Sequence, residues 1–319
     1  MTNKILTTHV GSLPRTPDLL EANKARYNNA ISAEEFDKII VASVDKVVAK
    51  QDEIGIDQVN DGEYGHITSG AIDYGAWWNY SFYRLGSLEM TDEDRGARTE
   101  KIRSTPGNIK LTTFPDRRDR EKFRAAYEDP DSGVLGKRNK VVNPVFAGPV
   151  TYVGEDQVKR DVRLLTEAMN RYGIEQGFMP AISPGAAALL EDRYYHDEKA
   201  LLDAVADAMH EEYKVITDAG LIVQLDAPDL AEAWDQINPE PTVEDFQAWL
   251  QLRVDAANRA LKGIDPSLVR LHICWGSWHG PHTTDIPFEY IVDQCLQINA
   301  GSFSFEASSP RHAHEWKVW

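Results

Sequence analysis

The amino-acid sequence predicts an α/β protein of the TIM (β/α)8 barrel class, in which parallel strands alternate with helices. Short apolar runs that end in polar, Gly or Pro residues alternate with amphipathic helical patterns, which is typical of a parallel sheet. Nearly every run ends in a polar or charged residue, and barrels of this class keep their active sites at the carboxyl ends of their strands. No G-x-G-x-x-G segment follows the first run, so an open dinucleotide-binding sheet loses its main support.

Seven apolar runs are predicted to be barrel strands, with five helical patterns among them. In chain order the runs are KILTTHVGSLP, GIDQVNDGEYG, VVNPVFAGPV, GFMPAISPG, GLIVQLDAPD, LVRLHICWGS and GSFSFEASSP. The helical patterns cover residues 33–54, 156–172, 198–219, 242–261 and 287–299. The eighth strand is missing, because the thirteen residues after SFSFE are too few for a crossover helix and another strand. We therefore expect the natural protein to continue beyond residue 319.

We predict one barrel domain over residues 1–319, interrupted by an insertion at about 64–140. The insertion contains the aromatic stretch DYGAWWNYSFYRLG and the charged run TDEDRGARTEKIR. Long connections on the carboxyl face of a barrel commonly act as lids or select the substrate. The alternative is a packed excursion in which Trp77, Trp78, Tyr80 and Phe82 only bury surface and the charged run is solvated.

Composition restricts the partners. The chain has 319 residues, 42% of them hydrophobic, which is enough for a large core. Its net charge of −17 argues against nucleic acid or an anionic membrane as a partner and favours a small molecule or another protein. No signal peptide or membrane span is evident, and two cysteines do not form a disulfide framework, so we predict a cytoplasmic protein. Whether it forms a homo-oligomer stays open.

The segment LHIC places a histidine and a cysteine two residues apart at the end of the sixth run. Residues i and i+2 of a strand face the same side, so His272 and Cys274 point together towards the barrel axis if either does. The next run ends in Glu306, and neighbouring strands lie about 4.8 Å apart. Imidazole, thiolate and carboxylate at one point suit Zn²⁺, although a strand histidine by itself is more often structural. Cys295 lies in a helical pattern and is predicted to be a buried apolar residue.

Several motifs in the same order resemble the catalytic barrel of cobalamin-independent methionine synthase and its short relatives, which include epoxyalkane:coenzyme M transferase. The similar segments are HVGSLPR, NDGEYG, AGPVTYV, VQLDAPDLA, LHICWG and SFEAS, so the resemblance covers nearly the whole chain. It implies that zinc is bound by His272, Cys274 and Glu306. The family's fourth ligand, a cysteine near the C-terminus, has no counterpart here.

The resemblance also implies a substrate site. The backbone around Gly11 and Ser12, together with the carboxylates of Glu63 and Asp226, corresponds to the part of methionine synthase that binds the amino and carboxylate groups of homocysteine. We therefore predict Glu63 and Asp226 as the catalytic-site carboxylates. The alternatives are that Asp226 caps the next helix and that Glu63 pairs with an arginine of the lid.

Further histidines are predicted with less specific roles. The candidates for proton delivery to a departing group are His9, His66, His279 and His282. His312 and His314 in RHAH have a metal-like spacing, but they lie in a Pro-containing loop, which predicts no metal site there.

The implied activity is zinc-dependent alkyl or methyl transfer to a small thiol, in which bound zinc makes the thiol a thiolate. The enzyme is then similar either to 5-methyltetrahydropteroyltriglutamate–homocysteine methyltransferase, in methionine biosynthesis, or to a coenzyme M transferase. Where methionine synthase reads Asp-Glu-Pro, this chain reads Asp226-Ala227-Pro228, so the thiol and the alkyl donor stay open. Two other classes stay open as well: a metal-independent lyase resembling uroporphyrinogen decarboxylase, and a non-catalytic ligand-binding barrel.

Overall fold

The computed structural model of the protein describes residues 4–66, 80–91, 101–134, 143–277 and 279–319. The strands in these residues are β1 (Gln58–Val59), β2 (Leu88–Thr91), β3 (Asn143–Phe146), β4 (Gln176–Ile182), β5 (Glu191–Asp192), β6 (Ile222–Ala227), β7 (Val269–Ile273) and β8 (Ser302–Phe305). Five of them form a curled parallel sheet in the order β1-β4-β6-β7-β8, and β2-β3-β5 form a second sheet. The fold is therefore mixed α/β, with a parallel half-barrel at its centre.

Helices cover the outer face of the parallel sheet. The longer ones are Pro17–Tyr27, Ala33–Glu53, Glu155–Tyr172, Glu198–Asp218 and Val243–Ala260, and the short ones are Arg118–Lys122, Arg124–Glu128, Pro184–Ala187 and Val292–Cys295. Ser32 begins the second long helix with a capping box, in which its hydroxyl accepts from the Glu35 N–H and the Glu35 carboxylate accepts from the Ser32 N–H. Four of the five predicted helical patterns agree with the observed helices to within one or two residues.

The fifth helical pattern, over residues 287–299, is wrong as a continuous helix. The structure has a 3₁₀ turn at Phe288–Tyr290 and then the short helix Val292–Cys295. The N–H groups of Tyr290 and Ile291 donate to carbonyls three residues earlier, which is the 3₁₀ pattern. The α-helical hydrogen bonds therefore do not run continuously through this segment. Cys295 lies in the short helix and is fully buried, as the apolar pattern predicted.

The third predicted barrel strand is also wrong in its place, because β3 lies outside the parallel sheet. It pairs antiparallel with β2, which the insertion supplies, and parallel with β5. Both edges of β3 are then occupied, and β1 pairs directly with β4, with Gln58 opposite Gln176. The first predicted run, residues 4–14, contains no regular strand. Within this run, the Thr7 carbonyl accepts hydrogen bonds from the N–H groups of Asp57 and Gln58, at the start of β1.

The two faces of the parallel sheet differ in polarity. Residues such as Ile273 point outwards into the hydrophobic core under the helices and are fully buried. The inner face is polar: the Gln224 amide donates to the Val10 carbonyl at 2.6 Å, and the Arg270 guanidinium donates to the His9 carbonyl at 3.4 Å. The N-terminal segment thus crosses the inner face and brings its own residues to the candidate site. No helix in the described ranges is long and apolar enough to cross a membrane.

Candidate functional site

His272 and Cys274 lie at the carboxyl end of β7, on the face that also carries Arg270. The His272 Nδ1 atom is 3.3 Å from the Ser304 hydroxyl oxygen on β8. Burial lowers the pKa of His272 to about 4, and burial raises the pKa of the Cys274 thiol to about 12. Both groups are therefore uncharged at neutral pH, which is the form in which an imidazole donates to a metal.

Glu306 follows β8 and reaches the level of Cys274, because the preceding residues of the two strands, Phe305 and Ile273, are paired. Its carboxylate, however, accepts bonds from the Ser308 hydroxyl at 2.7 Å and from the N–H groups of Ser308 and Ser309 at 2.9 and 3.0 Å. These bonds lower the pKa of Glu306, and the bond from the Ser308 side chain has the largest effect. The carboxylate is thus held by its own loop.

The metal-ligand prediction can be tested against this arrangement. Across the described parts of the chain, no group of three or more His, Cys, Asp or Glu side chains is arranged to hold a metal ion. His272 is on β7 and Cys274 follows that strand, whereas the Glu306 Oε1 atom already accepts bonds from Ser308 and Ser309. The three-ligand site stays a prediction.

Asp226 lies on β6 directly beside His272 on β7. Its Oδ1 atom accepts from the Gln224 amide at 2.8 Å, so a buried residue two positions earlier orients the carboxylate. The 3₁₀ turn after β6 begins with Ala227 as its N-cap and has no side-chain cap. Asp226 is therefore not the N-cap residue of that turn, and it lies beside His272, one of the predicted metal donors.

Gly11 and Glu63 are in direct contact. Gly11 has φ 147°, and a Cβ atom added to it would lie 2.3 Å from the Glu63 Oε1 atom. The Asn60 amide donates to the Gly11 carbonyl at 3.1 Å, and the Leu13 N–H donates to the Gly62 carbonyl at 3.2 Å. These bonds join the N-terminal loop to the loop after β1. The neighbouring Ser12 is exposed, at the rim of this contact.

The surroundings of Glu63 are polar and mostly buried. Its Oε2 atom is 3.5 Å from the His66 Nδ1 atom, and its backbone carbonyl accepts from the Arg15 guanidinium at 2.8 Å. His66 in turn stacks on the ring of Tyr80 with centroids 3.6 Å apart. Tyr80 belongs to the predicted insertion, so part of the insertion packs close to this site. Trp77 and Trp78 lie outside the described residues.

The two halves of the site meet through Gln224. Its amide donates both to the Val10 carbonyl, next to Gly11, and to Asp226. One inner-face residue thus joins the loop that holds Glu63 to the strand that carries Asp226. The structure therefore brings Gly11, Glu63 and Asp226 to the same end of the sheet as His272 and Cys274.

Three residues of the site were missed by sequence reasoning. Gln224 and Arg270 lie two positions before Asp226 and His272, so strand periodicity would have placed them on the same face. Burial lowers the pKa of Arg270 to about 10. The third is Glu232, whose N–H donates to the Cys274 carbonyl at 3.2 Å. Burial of the Cys274 thiol is the main cause of its raised pKa, and the nearby Glu232 carboxylate raises that pKa further. Glu232 begins the 3₁₀ turn Glu232–Gln236, and no local pattern in the sequence points to it.

Comparison with known proteins agrees with the motif resemblance. Residues 5–68 match the family model described as "Cobalamin-independent synthase, Catalytic domain". The chain is 23% identical over 313 residues to the 5-methyltetrahydropteroyltriglutamate–homocysteine methyltransferase of Corynebacterium glutamicum (strain R), covering 95% of this chain and 32% of that protein. It is 30% identical over 105 residues to the uncharacterized protein YxjH of Bacillus subtilis (strain 168), which is 33% of this chain and 26% of that protein.

Solved structures show the same fold. A putative vitamin-B12 independent methionine synthase from Listeria monocytogenes superposes with a TM-score of 0.60 at 17% identity, covering 94% of this chain and 73% of that one. A B12-independent methionine synthase from Shewanella sp. W3-18-1, in complex with selenomethionine, gives a TM-score of 0.52 at 18% identity, covering 85% and 61%. The resemblance to the cobalamin-independent methionine synthase family is confirmed. The chain spans about a third of the length of the methyltransferases it matches.

Proposed function

We propose that this chain catalyses the transfer of an alkyl group, in the simplest case methyl, to the sulfur of a small thiol, and that it uses zinc. The observation that carries the proposal is that Asp226 on β6 lies beside His272 on β7, with Cys274 directly after β7, at the end of the strands where a barrel binds substrate. The named activity of the curated relatives, a homocysteine methyltransferase, supports the same reaction class.

His272 and Cys274 would hold the metal, with Glu306, whose Oε1 atom accepts bonds from Ser308 and Ser309, as the third donor. Zinc supplies one effect when bound: it lowers the pKa of a coordinated thiol, so that a substrate thiol is a thiolate at neutral pH. His272 is already neutral and has no proton to lose, whereas the Cys274 thiol must release one, so metal binding is expected to weaken in acid.

The chain's own carboxylates would bind and orient the thiol substrate. Gln224 donates to Asp226 and to the carbonyl of Val10, next to Gly11, and both Glu63 and Asp226 would accept hydrogen bonds from the ammonium group of an amino-acid thiol. The missing side chain of Gly11 leaves room for the Glu63 carboxylate, and the Gln224 amide keeps Asp226 in place. Holding the thiol and the alkyl donor in line is the remaining task of the site.

A thiol with a sulfonate instead of an ammonium group, such as coenzyme M, would need a cationic partner. Arg15 and Arg311 are the candidates from the sequence. The Arg15 guanidinium donates to the carbonyls of Glu63 and His66, and that of Arg311 donates to the carbonyl of Asp285. The two carboxylates at the site favour the amino-acid thiol. The alkyl donor, whether a methyl-folate, a methyl-sulfonium or an epoxide, stays open.

We further propose that residues 1–319 act as one catalytic barrel domain, with the segment 64–140 as its lid, in the cytoplasm. The packing of Tyr80 against His66 next to Glu63 supports a role of that segment at the substrate site.

The test is metal content together with thiol consumption. Elemental analysis of the wild type should find zinc, and His272→Ala and Cys274→Ser should each lose zinc and activity. Cys295→Ser is the matched control, since this thiol is fully buried in a helix and should leave both unchanged. Stoichiometric zinc in the double variant His272→Ala/Cys274→Ser would rule this site out, and thiol alkylation by metal-free protein would show that the reaction does not need zinc.

A further inference from the structure

The segment after β8 is joined to the loop after Cys274 by one histidine, His312, which is 1% exposed. Its Nε2 atom is 3.0 Å from the Asp285 Oδ2 atom, and its Nδ1 atom is 2.7 Å from the Glu315 Oε2 atom. Burial opposes a charge on the ring, but the bonds to Asp285 and Glu315 prevail and raise the pKa of His312 to about 9. His312 is therefore an imidazolium held between two carboxylates at neutral pH.

The same ring packs on the residue that follows Cys274. His312 stacks on Trp275 with ring centroids 4.2 Å apart, and the Trp275 indole N–H donates to the Ile286 carbonyl at 3.1 Å. The Glu315 carboxylate also accepts from the Phe288 N–H at 2.9 Å. Trp275 and Phe288 are thus both held against the segment after β8, by His312 and Glu315 respectively.

This packing bears on the position of the Cys274 thiol. Cys274 lies just beyond the last residue of β7, where the strand's ladder no longer holds it. Its Sγ atom accepts from the Gly276 N–H at 3.2 Å, and Gly276 has φ 101°. The thiol therefore depends on the path of residues 275–276, and the Trp275 side chain fixes that path.

We propose that His312 is a positioning residue, which holds Trp275 against the segment after β8 and thereby fixes the Cys274 thiol at the site. The inference rests on the proposed function, because that function is what gives the Cys274 thiol its role as a metal donor. The placement of the thiol can nevertheless be measured without zinc or substrate.

Other charged groups face the same cluster. The His282 Nδ1 atom is 3.0 Å from the Asp285 Oδ2 atom that His312 also contacts, and the Arg311 guanidinium donates to the Asp285 carbonyl. Glu306 lies six residues before His312 in the same segment, and the field of His312 contributes to its lowered pKa. The cluster thus joins the loop after β7 and the segment after β8 next to two of the proposed metal donors.

The experiment measures the reaction of the Cys274 thiol with iodoacetamide at neutral pH in a Cys295→Ser background, where it is the remaining cysteine. His312→Gln should raise the labelling rate by about tenfold or more, because Trp275 is released and the thiol is less shielded. The matched control is His314→Gln, since His314 is exposed in the same segment, and it should change the rate by less than about twofold.

Two further measurements separate positioning from general instability. Labelling of His312→Gln should be independent of urea below the unfolding transition, whereas labelling through global unfolding would rise steeply with urea. If His312→Gln does not fold, Glu315→Gln weakens the same contact and should raise the rate severalfold. Rates unchanged in folded His312→Gln and Glu315→Gln would overturn the inference, and so would an equal rise in His314→Gln. Absence of zinc from the wild type would refute the proposed function but leave this labelling result standing.

Discussion

The Glu63 carboxylate occupies the space in which the side chain of residue 11 would stand, since a Cβ atom on Gly11 would lie 2.3 Å from its Oε1 atom. We expect Gly11→Ala to push the carboxylate aside and to strain the backbone at φ 147°, at a cost of roughly 1–3 kcal/mol in unfolding free energy. Thiol binding, measured by calorimetric titration, should weaken as well.

The control for this change is Gly107→Ala. Gly107 also has a positive φ, of 70°, but nothing lies within 4 Å of its added Cβ atom. It should show the backbone cost without the loss of thiol binding. Equal binding losses in both variants would show that Glu63 is not part of the thiol site.

A second prediction concerns the class of thiol. Asp226→Asn should weaken the binding of homocysteine by roughly 1.5–3 kcal/mol, because a charge-assisted hydrogen bond to the ammonium group is lost. Binding of coenzyme M, which has no amine, should change far less. Arg311→Ala tests the opposite case in the same titration with zinc-loaded protein. Tight coenzyme M binding that is lost only in Arg311→Ala would contradict our preference for an amino-acid thiol.

A third prediction concerns Arg84, which is 3% exposed and lies between two buried carboxylates. Its guanidinium is 2.8 Å from Asp161 and 3.1 Å from Glu212. Removing it by Arg84→Met leaves Glu212 without this cation and leaves Asp161 with Arg160 alone, and we expect urea unfolding to show a loss of about 3–5 kcal/mol. Arg163→Met removes an exposed i,i+4 pair with Glu167 and should cost about 0.3–0.5 kcal/mol. Similar losses in the two variants would mean that burial of the Arg84 pair contributes nothing.

A fourth prediction concerns pH. The pKa of His312 is raised in the folded protein to about 9 from its ordinary value of 6.5, so the folded state holds the proton more tightly than the unfolded chain. The stabilisation, about 3 kcal/mol by this shift, is fully present below pH 6.5 and is lost as the pH rises through about 9. His312→Gln should therefore unfold more easily than wild type at neutral pH, with a difference that shrinks in alkaline solution. A difference that stays constant from neutral to alkaline pH would contradict the raised pKa.

Strand periodicity and helical periodicity predicted much of the parallel sheet. The helix Val243–Ala260 and the strands on either side of it were expected from local patterns, because each buries one continuous apolar face. The partner of β3 could not be predicted in this way. The segment VVNPVF indicates a strand. Which strands pair with it depends on which strand edges are unoccupied in the folded chain, and one edge of β3 is paired with β2 from the predicted insertion.

The candidate site shows the same division. The spacing of His272 and Cys274 predicted a common face, and β7 includes His272 but ends at Ile273, one residue before Cys274. The conformation of Glu306 was not predictable, because the competing donors, Ser308 and Ser309, belong to a loop whose shape no period encodes. His312 pairs with Asp285, which lies 27 positions away in the sequence. A local motif cannot indicate such a distant partner, so the segment RHAH was predicted only as a loop.

The direct pairing of β1 with β4 also has a consequence for the order of folding. Gln58 and Gln176 are bonded to each other across 118 positions, whereas the paired residues of β4 and β6, of β6 and β7, and of β7 and β8 lie fewer than 50 positions apart. Closing the longer loop loses more conformational entropy of the chain before the stabilising contacts between β1 and β4 can form. We expect the sheet to grow from β4 to β8 first and β1 to dock last. The N-terminal loop with Gly11 and the loop after β1 with Glu63 then reach the site only when the rest of the parallel sheet has already formed.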